Sequence, residues 1–136
     1  MKLLMMYTNS FNYKTSIKTL EDFPDSNEDV FTESFLVGFI HAEQKDEDDL
    51  AKTVTKLIKN LKWAAGKNSS KNIILHSFAH LSESKAEPQI TKEIFDRAEE
   101  RLKNAGYSVL QTPFGYFLDL KIEAPGYSQA RIFKSF

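Results

Sequence analysis

Cysteine is absent from the chain. That removes disulfides, thiolate metal sites and cysteine nucleophiles together, and it agrees with an intracellular address. No apolar run approaches the roughly 20 residues that a membrane span requires. The opening Met1-Lys2-Leu3-Leu4-Met5-Met6-Tyr7 turns polar at Thr8, so it reads as a strand and is shorter than a signal peptide. These features place the protein in the cytoplasm, with no membrane partner. An excess of charge of either sign is also missing: 18 Lys and Arg face 19 Asp and Glu, for a net charge of -1. Bulk electrostatics therefore gives no reason for nucleic-acid binding, and any RNA contact must be local. There is no internal repeat and no low-complexity linker. What is present is ordinary: 136 residues, 41% hydrophobic and 27% charged, enough for one compact domain over 1–136 and too little for two.

Lys2 to Tyr7 reads as a strand. Thr8-Asn9-Ser10 reads as a polar break, after which Phe11, Tyr13 and Thr15 alternate like the second arm of a hairpin. Asp22 to Asp29 is a solvated acidic loop. The β-branched and aromatic run from Ser34 to Ala42 is expected to be a central strand covered on both faces, with His41 at its end. Asp46 to Asp49 open a helix, because acids in a first turn complement its positive end. Leu50, Val54, Leu57, Leu61 and Ala65 form its buried stripe and Gly66 its stop. Lys52, Lys56 and Lys59, with Lys62 beside them, lie opposite, either as a solvated face or as a phosphate-contacting stripe, and Trp63 shares that side. A second helix begins at Pro88, buries Ile90, Ile94, Phe95, Ala98, Leu102 and Ala105, and ends at Gly106. Tyr107 to Phe114 and Tyr127 to Phe136 read as strands. Between them Tyr116, Leu118, Leu120 and Ile122 share a core-facing side of another. Two helices alternating with strands imply an α/β (α+β) domain built on a mixed β-sheet.

The stretch around which the rest is organised is Ile73-Ile74-Leu75-His76-Ser77-Phe78-Ala79-His80-Leu81-Ser82. It is an interior strand running into a histidine-bearing turn, and ligands of open α/β sheets collect beyond strand carboxyl ends. His76 reads as a sheet-face residue. His76 and His80 are four apart, but they span a strand-to-turn junction with no third ligand in sight, so no metal and no cofactor is expected. Neither Ser77 nor Ser82 sits in a Gly-x-Ser-x-Gly elbow, which argues against a serine nucleophile. The second candidate turn is Pro113-Phe114-Gly115-Tyr116, whose glycine permits a bend or a close approach.

Taken in order, several pieces resemble the N-terminal editing domain of archaeal-type threonyl-tRNA synthetases, similar in fold to D-aminoacyl-tRNA deacylases. They are Leu3-Leu4 with Asn9 and Tyr13, Phe39-Ile40 with Glu43, Phe78-Ala79-His80-Leu81-Ser82 with Pro88, Leu102-Lys103 with Gly106-Tyr107, Pro113-Phe114-Gly115-Tyr116, Lys121-Ile122 and Gly126. The resemblance implies hydrolysis of the ester joining serine to the terminal adenosine of threonine tRNA. Partners would be the tRNA 3′ end, a second copy in a homodimer, and a separate threonyl-tRNA synthetase, since the chain stops where the resemblance stops. The amino acid would be gripped by strand-end backbone at Ala42, Ala79 and Phe117, with Ser77 and Phe78 beside them, and the adenosine by Phe114, Gly115 and Tyr116. His80 matches the family's catalytic His. Its catalytic Lys corresponds to Leu118 and its Glu to Arg131, which makes Arg131 the second catalytic candidate. Asp119 lies on the other sheet face from Leu118 and is no substitute. Three readings follow: a trans-acting aminoacyl-tRNA deacylase, a catalytically degenerate module that binds a tRNA end or nucleotide, and a structural homodimer with a vestigial pocket. None is a ligase by itself.

Overall fold

A computed structural model describes residues 1–136. The elements in order are β1 (Lys2–Lys18), β2 (Asp29–His41), α1 (Leu50–Lys67), β3 (Asn72–Ser77), α2 (Pro88–Asn104), β4 (Ser108–Gln111), β5 (Tyr116–Glu123) and β6 (Arg131–Ser135), with short 3-10 turns at Gln44–Asp48 and Ser128–Ala130. One six-stranded mixed sheet runs β4-β3-β2-β1-β5, and β6 also pairs with β1. β2, β3 and β4 are mutually parallel, whereas β1 is antiparallel to β2, β5 and β6.

β1 corrects the expected hairpin. Thr8-Asn9-Ser10 does not turn the chain, and Lys2 to Lys18 form a single strand whose register with β2 is the same on both sides of that point. The polar triplet instead marks a change of phase. Leu3 and Met5 join the core beneath the helices, whereas Phe11 and Tyr13, at the same parity, join the cluster on the opposite face. Asn9 stands where Ser34 of β2 takes a φ of 62°, and the ladder lacks that one pair. A left-handed residue rotates the pleat, so the alternation slips by one in both strands at once.

α1 begins at Leu50, later than the acids suggest: Asp46 and its neighbours form a 3-10 turn, and the Asp49 side chain caps the helix by accepting from the Lys52 amide. Val54, Leu57, Ile58, Leu61, Ala64 and Ala65 are buried against Leu3, Met5, Leu36 and Ile40. α1 comes close to β2 at Gly38, where an added Cβ would lie 3.0 Å from Leu61 Cδ2. α2 starts at Pro88 and buries Ile94, Phe95, Ala98 and Leu102 on the same side. Ala105, expected in that stripe, is exposed because it already belongs to the C-cap.

The other sheet face carries Phe11, Tyr13, Val37, Phe39 and Ile74, partly covered by Leu118 and Leu120. Tyr116, Leu118 and Leu120 are half-buried and Ile122 is exposed, since no helix lies over this side. The last strands are shorter than the apolar runs that suggested them, Ser108–Gln111 and Arg131–Ser135.

Candidate functional site

The carboxyl ends of β2, β3 and β4 open into a cavity of about 310 Å³. β2 supplies Ile40, His41 and Ala42, β3 supplies His76 and Ser77, and the following turn supplies Ala79 and His80. The Thr112-to-Phe117 segment closes the far wall. Of the residues expected at the site, Ala42, Ser77, Ala79, His80, Phe114, Gly115, Tyr116 and Phe117 all line this cavity.

Two do not. Phe78 turns back over the sheet, its ring 5.3 Å from Phe39 and 4.9 Å from His80, so it supports His80 from outside the lining. Arg131 opens β6 opposite Met6, exposed, on the far side of β1 from β2, and is absent from the cavity wall. Leu118 is likewise absent and packs against the Phe11–Phe39 cluster. The cavity wall takes in Tyr116 and Phe117 at the start of β5 and ends before Leu118.

The turn bearing His80 is held along the segment that follows β2. The Phe78 amide donates to the Ile40 carbonyl at 3.0 Å and the Ala86 amide to the Ala42 carbonyl at 3.0 Å. Between them, His41 Nδ1 accepts from the Leu81 amide at 2.9 Å while its Nε2 lies 2.7 Å from the Ser84 carbonyl. An Nδ1 that accepts from an amide leaves the ring proton on Nε2, which then donates to Ser84. His41 is thus a buried brace.

Glu43 adds a second brace. Its Oε2 accepts from Ser82 Oγ at 2.7 Å, and its Oε1 accepts from the Met1 ammonium at 2.6 Å. That ammonium also meets Asp46 at 2.9 Å and the Phe136 carbonyl at 2.7 Å. Burial pushes the Glu43 carboxyl upward, but the hydrogen bonds from the ammonium and Ser82, with the ammonium's charge, outweigh it and hold the group down at about 2.

The far wall is fixed at Gly115. Its φ of +85° suits glycine, and a Cβ there would lie 3.1 Å from Leu20 Cβ. Its carbonyl accepts from the Thr19 amide at 2.7 Å, the Leu20 amide at 3.2 Å and Thr19 Oγ1 at 3.0 Å. Phe114 is wedged between Phe23 and Phe95, at 4.8 and 6.1 Å, and the Tyr116 hydroxyl accepts from the Ser26 amide at 2.9 Å.

His76, on the cavity floor, shares a 2.9 Å hydrogen bond between its Nδ1 and Thr112 Oγ1 and meets Phe39 edge-on at 5.2 Å. Burial, helped by the neighbouring His80, depresses it to about 4, so the ring is neutral at physiological pH. This is the sheet-face histidine the sequence suggests. His80 is exposed, and the backbone amides of Ala79 and His80 donate to no other group of the chain.

Sequence reasoning missed Lys85, a cation in the cavity wall on the loop before α2. No motif marks it, because a lysine in a polar loop looks like any solvated one. Thr19, Thr91 and Thr112 also went unforeseen. No carboxylate lines the cavity, whose titratable side chains are His41, His76, His80, Lys85 and Tyr116. Such a wall accommodates anionic or neutral polar ligands, and its only exposed imidazole is His80.

The sequence profile described as the archaea-specific editing domain of threonyl-tRNA synthetase matches residues 1–136. Threonine–tRNA ligases of Pyrococcus horikoshii and Thermococcus kodakarensis are 30% and 29% identical over 135 residues, 97% of this chain. That of Methanosphaera stadtmanae is 30% identical over 129 residues, 93% of the chain. The chain spans only 22%, 22% and 21% of the length of these ligases. Among solved structures, the c-Myc DNA unwinding element binding protein superposes with a TM-score of 0.69 over 100% of this chain and 99% of its own, at 13% identity, a likeness of fold. The mixed, deacylase-like α/β architecture expected from the resemblance is the one adopted.

Proposed function

The chain belongs to the archaea-specific editing-domain family of threonyl-tRNA synthetase, and on that premise we propose that it binds the charged 3′ end of tRNA and hydrolyses a wrongly attached serine in trans. The observation that carries this reading is one cavity lined by His80, Ala42, Ala79 and the Phe114-to-Phe117 wall. Ala42 and Ala79 bound the amino-acid end, where a wall of fixed main chain rejects threonine's extra methyl by contact; attraction alone discriminates by only about 1 to 3 kcal/mol. Phe114 and Tyr116 flank the adenosine.

Water attacks the ester carbon, the bond to the ribose oxygen breaks, and the proton passes through His80 to that leaving oxygen. The developing oxyanion is met by the unused amides of Ala79 and His80 and by Lys85, which supplies the cation that Leu118 does not. Arg131 has no part in this scheme, since it lies outside the cavity wall. A homodimer, and a separate synthetase as the source of the mischarged tRNA, complete the reading.

The test is deacylation of serine- and threonine-charged threonine tRNA by the purified chain, with sedimentation equilibrium for the dimer. Loss of the serine ester alone is expected. Leu118 and Arg131 favour a second reading, a binding module without hydrolysis. Tight binding of charged tRNA with both esters left intact would establish that one.

A further inference from the structure

Charge is unevenly distributed between the two helices. α2 interleaves acids and bases and pairs them one turn apart: Lys92 with Asp96 at 2.8 Å, Arg97 with Glu93, and Lys103 with Glu99 at 3.1 Å. α1 contains five lysines and no acid in 18 residues. None of those lysines has a carboxylate within ion-pair distance. Lys52 and Lys56 both border a depression that also contains Asp46, Asp48 and Asp49, so the cations furthest from any acid are those further along the helix, at Lys59 and Lys67.

At 100° per residue, Lys56, Lys59, Trp63 and Lys67 fall in one narrow stripe opposite the buried face. Like charges three and four apart weaken a helix; the dipole favours only Lys67, in the last turn, so Lys56 and Lys59 have no origin in helix stability. β6 continues it. Lys134 Nζ lies 5.1 Å from the Trp63 ring centroid, Lys67 Nζ lies 5.8 Å from it, and Lys56 Nζ lies 6.0 Å from the Phe136 ring. Arg131, paired with Met6, faces the other side of the sheet and is not part of this surface, and β6 contains no acid. At the far end Asn68 donates to the Gln129 carbonyl at 3.0 Å, so α1 and β6 lie side by side and antiparallel.

A chain of contacts links the stripe to the turn that bears His80. The Phe136 amide donates to the Met1 carbonyl, and the Met1 ammonium holds Glu43, which holds Ser82 of the His80 turn. From Lys56 to Lys67 the helix then runs ~16 Å. Trp63 is 45% exposed within this row of cations, an aromatic that a base or ribose could reach by displacing a lysine.

We propose that the α1–β6 surface, with Lys56, Lys59, Lys67 and Lys134 around Trp63, is a second contact for RNA. It would grip the phosphate backbone of the tRNA whose 3′ end occupies the cavity, with Trp63 packing on the ribose or an unpaired base. Complementary charge carries the assignment. It rests on the reading of the cavity as a tRNA-end site and extends it to the body of the ligand.

The experiment compares wild type, the triple variant Lys56→Gln/Lys59→Gln/Lys67→Gln, and Trp63→Ala in two assays. One is salt-dependent binding of uncharged threonine tRNA; the other is hydrolysis of seryl-adenosine, a fragment too short to reach the stripe. The triple variant should lose at least ~10-fold in tRNA affinity at low salt, with the salt slope falling by about 2 to 3. Trp63→Ala should lose affinity with its salt slope kept. Seryl-adenosine turnover should match wild type in both. A single Lys59→Gln carrying part of the loss guards against misfolding of the triple variant. Unchanged tRNA binding in the triple variant overturns the proposal, as does equal loss of tRNA binding and seryl-adenosine turnover. Equally tight, stripe-dependent binding of phosphatidylserine vesicles or a poly-glutamate peptide also overturns the assignment to RNA. If wild type leaves seryl-adenosine intact yet binds tRNA through the stripe, the RNA surface stands and hydrolysis falls.

Discussion

His41 holds Leu81: the imidazole Nδ1 accepts the Leu81 amide at 2.9 Å while Nε2 donates to the Ser84 carbonyl at 2.7 Å, so one buried ring staples the turn that presents His80. His41→Ala leaves a buried amide and carbonyl without partners, at a cost of about 2 kcal/mol. Amide hydrogen exchange at Leu81 should accelerate more than exchange in β1. Uniform acceleration across the sheet would mean that His41 serves the fold generally and the turn not at all.

Glu43 gives a distinct acid signature. Its carboxyl is held at about 2 in the folded chain against an ordinary 4.5. Its contribution is therefore fully present above pH 4.5 and lost as pH falls towards 2. Glu43→Gln breaks a buried pair and should cost about 3 kcal/mol at pH 7. The gap between the two urea midpoints should close between pH 4.5 and 2; a gap constant over that range would refute the assignment.

His76 works in a higher window. The ring is depressed from 6.5 to about 4, so the unfolded chain takes up a proton that the folded chain refuses. Stability is intact above pH 6.5 and declines as pH falls towards 4, by about 3 kcal/mol in the limit. His76→Phe keeps the ring among Phe11, Phe39 and Phe78, loses the bond to Thr112, and should flatten the stability profile between pH 6.5 and 4.

At the reacting end, His80→Ala should lower the rate of serine-ester cleavage by ~10²-fold or more if the imidazole carries the proton. Lys85→Met should lower kcat without weakening tRNA binding, since the cation is asked to act only on the developing oxyanion. Arg131→Ala should leave single-turnover cleavage of bound seryl-tRNA at the wild-type rate. Loss of turnover with Arg131→Ala and none with Lys85→Met would reverse their roles.

Gly115→Ala forces a side chain into left-handed backbone and to within 3.1 Å of Leu20 Cβ. The strain is about 1–2 kcal/mol, and the thermal midpoint should fall accordingly. Because the Gly115 carbonyl fastens the far wall to Thr19 and Leu20, adenosine affinity should fall with it.

Much of this arrangement is legible in the residues. The helices announce themselves through 3.6-residue spacing, and the site through a polar turn after Ile73-Ile74-Leu75. Thr8-Asn9-Ser10 misleads because a change of pleat phase and a hairpin both interrupt alternation, and only the partner strand tells them apart. Leu118 follows Tyr116 and Phe117 directly, and only the path of β5 past the cavity decides that the wall ends at Phe117. Lys85 and the bracing role of His41 are invisible for another reason: each depends on a contact between segments some 40 residues apart, which no local pattern encodes.

The single strand β1 has a kinetic consequence. Its partners lie across nearly the whole chain: Lys14 meets Asp29, Ser10 meets Glu123, and Lys2 meets both His41 and Ser135. Its pairing with β2 can start locally across the 19–28 connection, but its pairing with β5 and β6 spans roughly 100 residues or more, so loop-closure entropy must be overcome before that side is rewarded. The scaffold should fold on the slow side for its size. The Met1–Phe136 contact, 135 residues apart in sequence, should close late for the same reason, and Glu43 and the His80 turn it braces should order after it.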